Sequence, residues 1–373
     1  MTIAIVGAGI GGLTTALLLE EFGINVQVFE QANEIKPVGA GIILAHNAMQ
    51  VFDKLGFNES LTKLGSPLTS TNLTTEKLRI INRIETKYFD DKYCVNGIAI
   101  QRGVLQEFLM GQLKTNCIHL DKQVVEVKIC DRPSLIFSDN EEFECDAIIA
   151  ADGINSIVRN TLFEDNTIRK PNQRCWRGIS NIKLPLKFQR ELNELWGKGS
   201  RFGFVNLSND SVYWYGLHSS HENIEKQDLL DCFRSYDPIV NEIILQTDFE
   251  KVFKSDICDL KPITTWYKHT VCLLGDAAHA TTPNIGQGAC QAIEDAYVLS
   301  HCINKYPINI AFSKYEGLRK TKADMIVALS WQLGVISQLE SSVLSSFRNF
   351  AMKAIPAKYN LKQLDKIYNL AKV

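Results

Sequence analysis

The first thirty residues constrain the chain more than any other stretch. Ile3 to Val6 is a short apolar run, and Gly7-Ala8-Gly9-Ile10-Gly11-Gly12 follows it at once. Leu13 to Phe22 carries a helical apolar pattern, Gly23 fits the stop of that helix, and Asn25 to Phe29 reads as a second strand ending at Glu30. This is the βαβ opening of a mononucleotide-binding fold. The spacing Gly7-x-Gly9-x-x-Gly12 permits a tight turn and lets backbone approach a pyrophosphate. The helix N-terminus adds amide donors and the positive end of its dipole. Glu30 stands where a carboxylate accepts from ribose hydroxyls. A dinucleotide site is expected at Gly7, Gly9, Gly11, Gly12 and Glu30. The loop alone does not choose between FAD and NAD.

Composition removes several alternatives. At 373 residues the chain is one large or two intimate domains, and 45% hydrophobic with 22% charged residues is ordinary globular usage. Lys+Arg at 40 against Asp+Glu at 42 gives a net charge of −2. That balance makes no electrostatic case for nucleic acid or for a membrane as main partner. Ten cysteines are scattered with no C-x-x-C pair, so no metal centre is expected and a reducing compartment is. No apolar run reaches roughly 18 residues, and no charged leader precedes the first strand, so a cytoplasmic location is expected.

Further along, residues 31 to 45 read as loop, with Pro37, Gly39 and Gly41, and Asn47 to Leu55 as a helix. Residues 68 to 100 alternate polar and apolar and are expected to form strands that interrupt the nucleotide domain. Arg102 to Leu113 reads as a helix, Val124 to Ile129 and Leu135 to Phe137 as an antiparallel pair, and Ala147 to Ala151 as a buried strand before Asp152-Gly153. Arg174 to Lys268 is rich in aromatics and short alternating strands, with Ser208-Asn209-Asp210 as a hairpin turn. Val271 to Leu274 returns to a buried strand, Gly275-Asp276 to a turn, and Gln287 to Ile303 and 311 to 350 to helix. The expected fold is α/β. A Rossmann-like nucleotide domain (1–173 and 269–325) carries an inserted β-sheet substrate domain (174–268), and C-terminal helices occupy 326–373. Ser330 to Phe350 mixes Trp331, Leu333, Val335, Ile336, Leu339, Val343 and Leu344 with Gln332, Gln338 and Glu340 but shows no basic face, so packing on the protein's own core is expected.

Three more segments carry a resemblance. Ala151-Asp152-Gly153-Ile154-Asn155-Ser156-Ile157-Val158-Arg159, Gly275-Asp276-Ala277-Ala278-His279, and Pro283-Asn284-Ile285-Gly286-Gln287-Gly288-Ala289 with Glu294-Asp295-Ala296 occur in this order; Tyr315-Glu316-x-x-Arg319 also fits. In these the chain resembles the single-component FAD-dependent monooxygenases (the p-hydroxybenzoate hydroxylase-like aromatic hydroxylases), in the branch of urate hydroxylases, zeaxanthin epoxidases and salicylate-hydroxylase-like enzymes. The resemblance implies FAD as cofactor and NAD(P)H as a co-substrate bound transiently at the surface. It implies O2 and a small molecule as reactants, and oxygen delivery through a flavin C4a-hydroperoxide to an aromatic, heteroaromatic or polycyclic ring. Epoxidation, tetracycline-type hydroxylation or another flavin oxidoreductase reaction on the same scaffold are the alternatives. A WxWxIP segment of halogenases is absent. A monomer or homodimer is expected.

The resemblance also assigns residues. Asp152 joins the cofactor site, Asp276 meets the ribityl hydroxyls, and Gly286, Gly288 and Ala289 open a helix toward the flavin ring edge. Arg102 approaches the ribityl-phosphate region and Val125 meets adenine through its backbone. Pro283 shapes the wall over the ring. Arg201 and Tyr213 fall where urate hydroxylases carry an Arg and a Tyr at the substrate, and Asn284 replaces an Asp of several relatives. Arg159 is open between a pyridine-nucleotide contact and a structural ion pair. His218 and His221 read as exposed turn residues and His279 as structural. In the hairpin, Tyr213 and Tyr215 face one side and Trp214 the other.

Overall fold

A computed structural model of the chain describes every residue except 36–39, 165, 209 and 220–224; Pro37, Gly39, Asn209 and His221 therefore lie outside the described residues. The architecture is α/β. A six-stranded sheet runs in the order Tyr267–Lys268, Val271–Leu273, Ala147–Ala150, Thr2–Val6, Asn25–Phe29, Ile118–His119. All its neighbours are parallel except the first pair. The inner strands are apolar throughout because helices cover both faces: Ile3, Ile5, Ile148, Ile149 and Cys272 are fully buried.

Six helices frame the cleft and its surroundings. Helix α1 (Ile10–Glu21) leaves the glycine turn and ends where Gly23, at φ +71°, donates to the Glu20 carbonyl and Ile24 to that of Leu19, a glycine-dependent stop. Helix α2 is Arg102–Gly111 and α3 is Gly288–Lys305, which packs along α1. Helices α4 (Ile308–Ser337), α5 (Ser342–Ala354) and α6 (Ala357–Tyr368) complete the chain. The expected single helical stretch over 311–350 is thus two helices. The expected strands of 68–100 are interrupted by a helix at Lys87–Tyr93.

The second large sheet has seven strands: Phe253–Asp256, Arg174–Ser180, Ser211–His218, Ser200–Ser208, Glu191–Trp196, Ser70–Thr75, Ile80–Glu85. Two of its strands thus come from the 68–100 region. One face places Trp176, Trp214, Phe202 and Phe204 against the helices Lys226–Cys232 and Pro238–Leu245, with Phe202 and Trp214 stacked at 5.5 Å. The opposite face carries Tyr213 and Tyr215, as alternation requires, and Val205, opposite Tyr213 in the register, packs with Leu68 and Ala99. His218 is half-buried in its strand rather than in a turn.

A buried polar network fastens the two layers of helix to the turn after Leu274. Arg319 of α4 is fully buried and donates to Asp295 (2.7 Å), Glu294 (2.5 Å) and Gln291 (2.6 Å) of α3. Asp295 also accepts from the Gly275 amide and lies 2.5 Å from His279 Nε2. Lys322 joins Glu294 to the Asn369 carbonyl. Burial alone would raise the Asp295 carboxyl, but the charges of His279 and Arg319 hold it down at about 2. Because this folded value lies below the unfolded one, Asp295 contributes stability above about pH 4 that fades as pH falls toward 2. Asp295→Asn is expected to lower stability by about 3–5 kcal/mol, by removing one of the two buried carboxylates that Arg319 pairs with and the charge facing His279. It should also flatten the acid limb of a urea-unfolding series run from neutral pH to pH 3, relative to the unsubstituted protein.

Candidate functional site

The cleft lies at the carboxyl ends of the parallel strands, where a doubly wound sheet places its ligands. Gly7 has φ +102°, and a Cβ there would stand 2.6 Å from the Ala151 carbonyl oxygen. A Cβ on Gly12 would stand 2.0 Å from the Gly7 oxygen, and one on Gly11 2.9 Å from Leu274 Cδ2. Those three glycines allow the turn to close against the sheet. Gly9 differs: a Cβ there would meet nothing within 4 Å, so this residue borders open space. Gly9 caps α1 without any side-chain hydrogen bond, so the first amides of that helix are left for a ligand.

Glu30 ends its strand with Oε2 accepting from the Ala8 amide (2.9 Å) and Oε1 from Ala32 (3.0 Å). It braces the turn, and a carboxylate has acceptor sites beyond these two. Gln106 of α2 donates to the Ala8 carbonyl from the other side. The Asp121 and Lys122 amides bond to the Ala32 and Glu30 carbonyls, which sets the strand Val124–Lys128 beside this end of the cleft. Val125 is exposed there, while Val124 and Val127 are buried.

The second half of the cleft comes from the returning chain. Asp276 follows Gly275 (φ +60°) and remains accessible from the cleft, though the protein packed around it raises its carboxyl. The charges of His279 and Arg102 oppose that shift, so Arg102 at the start of α2 faces the same space. A Cβ on Gly288 would stand 3.9 Å from Asp276 Oδ1. Gly286 has φ +64° and borders open space. Gln287 caps α3 without a side-chain bond, so the amides at Gly288 and Ala289 are a second uncapped helix start.

Asp152 sits against Gly7, with Oδ2 accepting from the Val158 amide at 3.4 Å; its Oδ1 is buried without a partner, and burial raises the group. Arg159 is fully buried and donates to the Ala277 and Ile154 carbonyls. It ties the Asp152 segment to the Gly275 turn. Its burial and the favourable charge of nearby Asp152 suit the structural role of the two open readings, with backbone carbonyls as its hydrogen-bond partners.

On the sheet face opposite these turns, Arg201 is buried. Its Nη1 donates to Glu194 Oε1 (3.3 Å) and its Nη2 to Asn284 Oδ1 (2.6 Å). Glu194 Oε2 accepts from the Tyr215 hydroxyl (2.8 Å), and Trp196 Nε1 donates to Oε1 (2.7 Å). Asn284 in turn donates to Thr282 Oγ1 and to the Ser330 carbonyl of α4, and a Cβ on Gly334 would stand 2.4 Å from its Nδ2. Pro283, in the same turn, is exposed. Tyr213 packs so closely on Gly41 that a Cβ there would stand 2.3 Å from its Cγ. Burial raises both phenols above the usual tyrosine range, with Arg177 opposing this at Tyr213, so both stay neutral donors at neutral pH. Glu194, Tyr215, Gln106 and Gly41 do not stand out as site residues in the sequence. No motif marks them, and only the strand register brings Glu194 opposite Gly203 and beside Arg201.

The donor set suits a dinucleotide with a flat ring. Two uncapped helix starts, two glycines bordering open space, an accessible Asp276 and the cation of Arg102 surround one cleft. Gly12→Ala is expected to abolish flavin retention through purification, read as the flavin-to-protein absorbance ratio. Asp276→Ala should weaken FAD binding to the apoprotein about tenfold to a hundredfold in a fluorescence titration, the loss of a charge-assisted hydrogen bond.

Comparison with known proteins agrees. The family described as "FAD binding domain" matches residues 1–306. The aurachin C monooxygenase/isomerase of Stigmatella aurantiaca is 31% identical over 95% of this chain and 94% of that protein. The 2-heptyl-3-hydroxy-4(1H)-quinolone synthase of Pseudomonas aeruginosa is 30% identical over 95% and 94%. The crystal structure of Klebsiella pneumoniae HpxO complexed with FAD and uric acid superposes with a TM-score of 0.90 at 24% identity, covering 99% of this chain and 96% of that one. Among the described residues no helix is long and apolar enough to cross a membrane. With its glycine turn, its second helix start and its sequence relatives in accord, the chain belongs to the FAD-binding-domain family of flavin-dependent monooxygenases.

Proposed function

We propose that the protein hydroxylates a flat, electron-rich heteroaromatic ring bearing a ring carbonyl, using FAD, NAD(P)H and O2. The observation that carries this reading is the 2.6 Å bond from Arg201 to Asn284. It joins the sheet face bearing Tyr213 to the turn Pro283–Gly286, so a ring held between them meets a guanidinium and a neutral phenol. Bound FAD supplies the redox and oxygen chemistry. Gly7, Gly9, Gly11, Gly12 and Glu30 hold its pyrophosphate and ribose end, and Arg102, Val125, Asp152 and Asp276 flank it. The uncapped amides of Gly288 and Ala289, after Gly286, would stabilise negative charge on a bound flavin ring.

The substrate side is the work of Arg201, Tyr213 and Pro283. Arg201 donates to a ring carbonyl through the guanidinium edge that now meets Asn284. Tyr213 donates through its hydroxyl, and Pro283 closes the wall over the ring. The buried apolar cluster of Leu68, Ala99, Val205 and Leu207 packs beside Tyr213 and keeps water from that side of the ring. The relatives' printed names support this substrate class, since a quinolone synthase stands at 30% identity and a uric acid complex shares the fold. All ten cysteines are free, which supports a reducing, cytoplasmic setting.

The test is anaerobic mixing of the FAD-loaded protein with NADH and with NADPH, alone and with 2-alkyl-4(1H)-quinolones or uric acid. Bleaching of the flavin band accelerated by one ring class is expected. Arg201→Gln should lower kcat/KM for that ring by roughly tenfold to a hundredfold, with Tyr213→Phe a smaller loss. Bound flavin that neither nucleotide reduces under any of these conditions would overturn the reading.

A further inference from the structure

The C-terminal helices turn the usual pattern around. Helix α5 puts Ser345 and Arg348 inward and leaves Val343, Leu344, Phe347 and Phe350 exposed. At 100° per residue these four, with Ala351 and Ala354, form one continuous stripe on the side away from Ser345. Val343, Phe347 and Phe350 are 77%, 68% and 72% exposed, more than any of the other exposed apolar residues except Leu186. Val335 and Ile336, at the end of α4, are exposed as well. The stretch expected to pack on the core therefore presents its apolar side outward, while Arg348 anchors the helix from beneath. Arg348 donates to the Ser337 and Gly197 carbonyls and stacks on Trp196 at 4.9 Å.

Charge identifies the occupant. Residues 341–373 hold five Lys and one Arg against the single acid Asp365, although the whole chain is at −2. Asp365 is already engaged by Lys92 and Tyr93. Lys358, Lys362 and Lys366 recur every fourth residue along α6 and are all exposed, and Lys353 stands at the rim of the α5 stripe. No ion pair of these four lysines is found among the described residues. The two helices are neighbours: Asn82 of the strand Ile80–Glu85 donates to the Met352 carbonyl and accepts from Asn360. An exposed apolar helix face beside a stripe of unpaired lysines is the pattern of a helix lying in a lipid interface with its cations among anionic headgroups. A second copy of this chain fits poorly, because pairing through α5 brings two lysine stripes together.

We propose that α5 and α6 dock the protein on an anionic lipid surface, α5 inserting its Phe347–Phe350 stripe and α6 contacting headgroups. The assignment concerns binding and is independent of the reaction catalysed. It reaches the site through Arg348, whose bond to Gly197 fastens the docked helix to the turn entering the Arg201 strand.

The experiment is flotation of the full-length, FAD-loaded protein with vesicles of phosphatidylcholine alone and of phosphatidylcholine with phosphatidylglycerol. Sedimentation velocity is run in parallel over a range of protein concentrations. The protein is expected to float with the anionic vesicles and to bind the neutral ones far more weakly. Neutralising Lys358, Lys362 and Lys366 together (to Gln) should weaken binding about a hundredfold, at roughly fivefold per charge. Phe347→Ser with Phe350→Ser should abolish flotation while leaving the flavin spectrum unchanged. Failure of the unsubstituted protein to float, equal binding to both vesicles, or binding indifferent to the Phe substitutions would each overturn the proposal. So would a concentration-dependent dimer that the Phe substitutions dissolve, which would make the stripe a self-association face.

Discussion

The site depends on one buried cation. Arg319 is enclosed by protein on every side, and its guanidinium is satisfied by Asp295, Glu294 and Gln291. A charge removed from water in this way is tolerable only while its partners stay in place. Its three hydrogen bonds fix α4 against α3, and Asp295 passes the constraint to the Gly275 amide and His279. The start of α3 and the position of Asp276 are thereby set together, although they belong to different elements. Arg159 extends the same logic, with a buried guanidinium holding the Ala277 and Ile154 carbonyls. Neither arginine touches the cleft's open space, yet both decide where its walls stand.

The proposed substrate wall is built by a division of labour between two faces of one sheet. The face with Trp176, Phe202 and Trp214 is a conventional apolar core that makes the sheet rigid. Rigidity on that side allows the other to present buried polar groups at fixed positions. Glu194 holds Arg201, Tyr215 and Trp196 at once, so the guanidinium is oriented before a ligand arrives. Asn284 completes the arrangement across the cleft, and Gly334 makes room for it in α4.

The glycine turn was legible in the sequence because its constraint is steric and local. Gly7 and Gly12 are demanded by backbone atoms within a few residues or on the next strand, and such demands leave a fixed spacing. The segments around Asp152, Asp276 and Gly286 were marked in the sequence by family resemblance instead, and each includes a glycine at positive φ. Glu194 and Gln106 were not, because Glu194 meets its partners only through strand register and Gln106 reaches Ala8 from a helix 98 residues further along the chain. Arg159 was visible as a residue with two meanings, and its burial beside the Asp152 charge suits the structural one. The α5 stripe shows a different limit. Its apolar periodicity is plain in the sequence, but periodicity does not say which side faces inward. The polar side of this helix turned in because Arg348 found Gly197, Ser337 and Trp196 beneath it.

The central claim is that the two uncapped helix starts and the Arg201–Tyr213 face enclose one flavin ring. The most direct measurement is a crystal structure of the FAD-loaded protein with a quinolone or uric acid bound. The account predicts the pyrophosphate at Gly9 and the start of α1, the ring edge at Gly286–Ala289, and the ligand between that ring and Arg201. A flavin ring turned away from the seven-stranded sheet, or a ligand bound without contact to Arg201 or Tyr213, would contradict it.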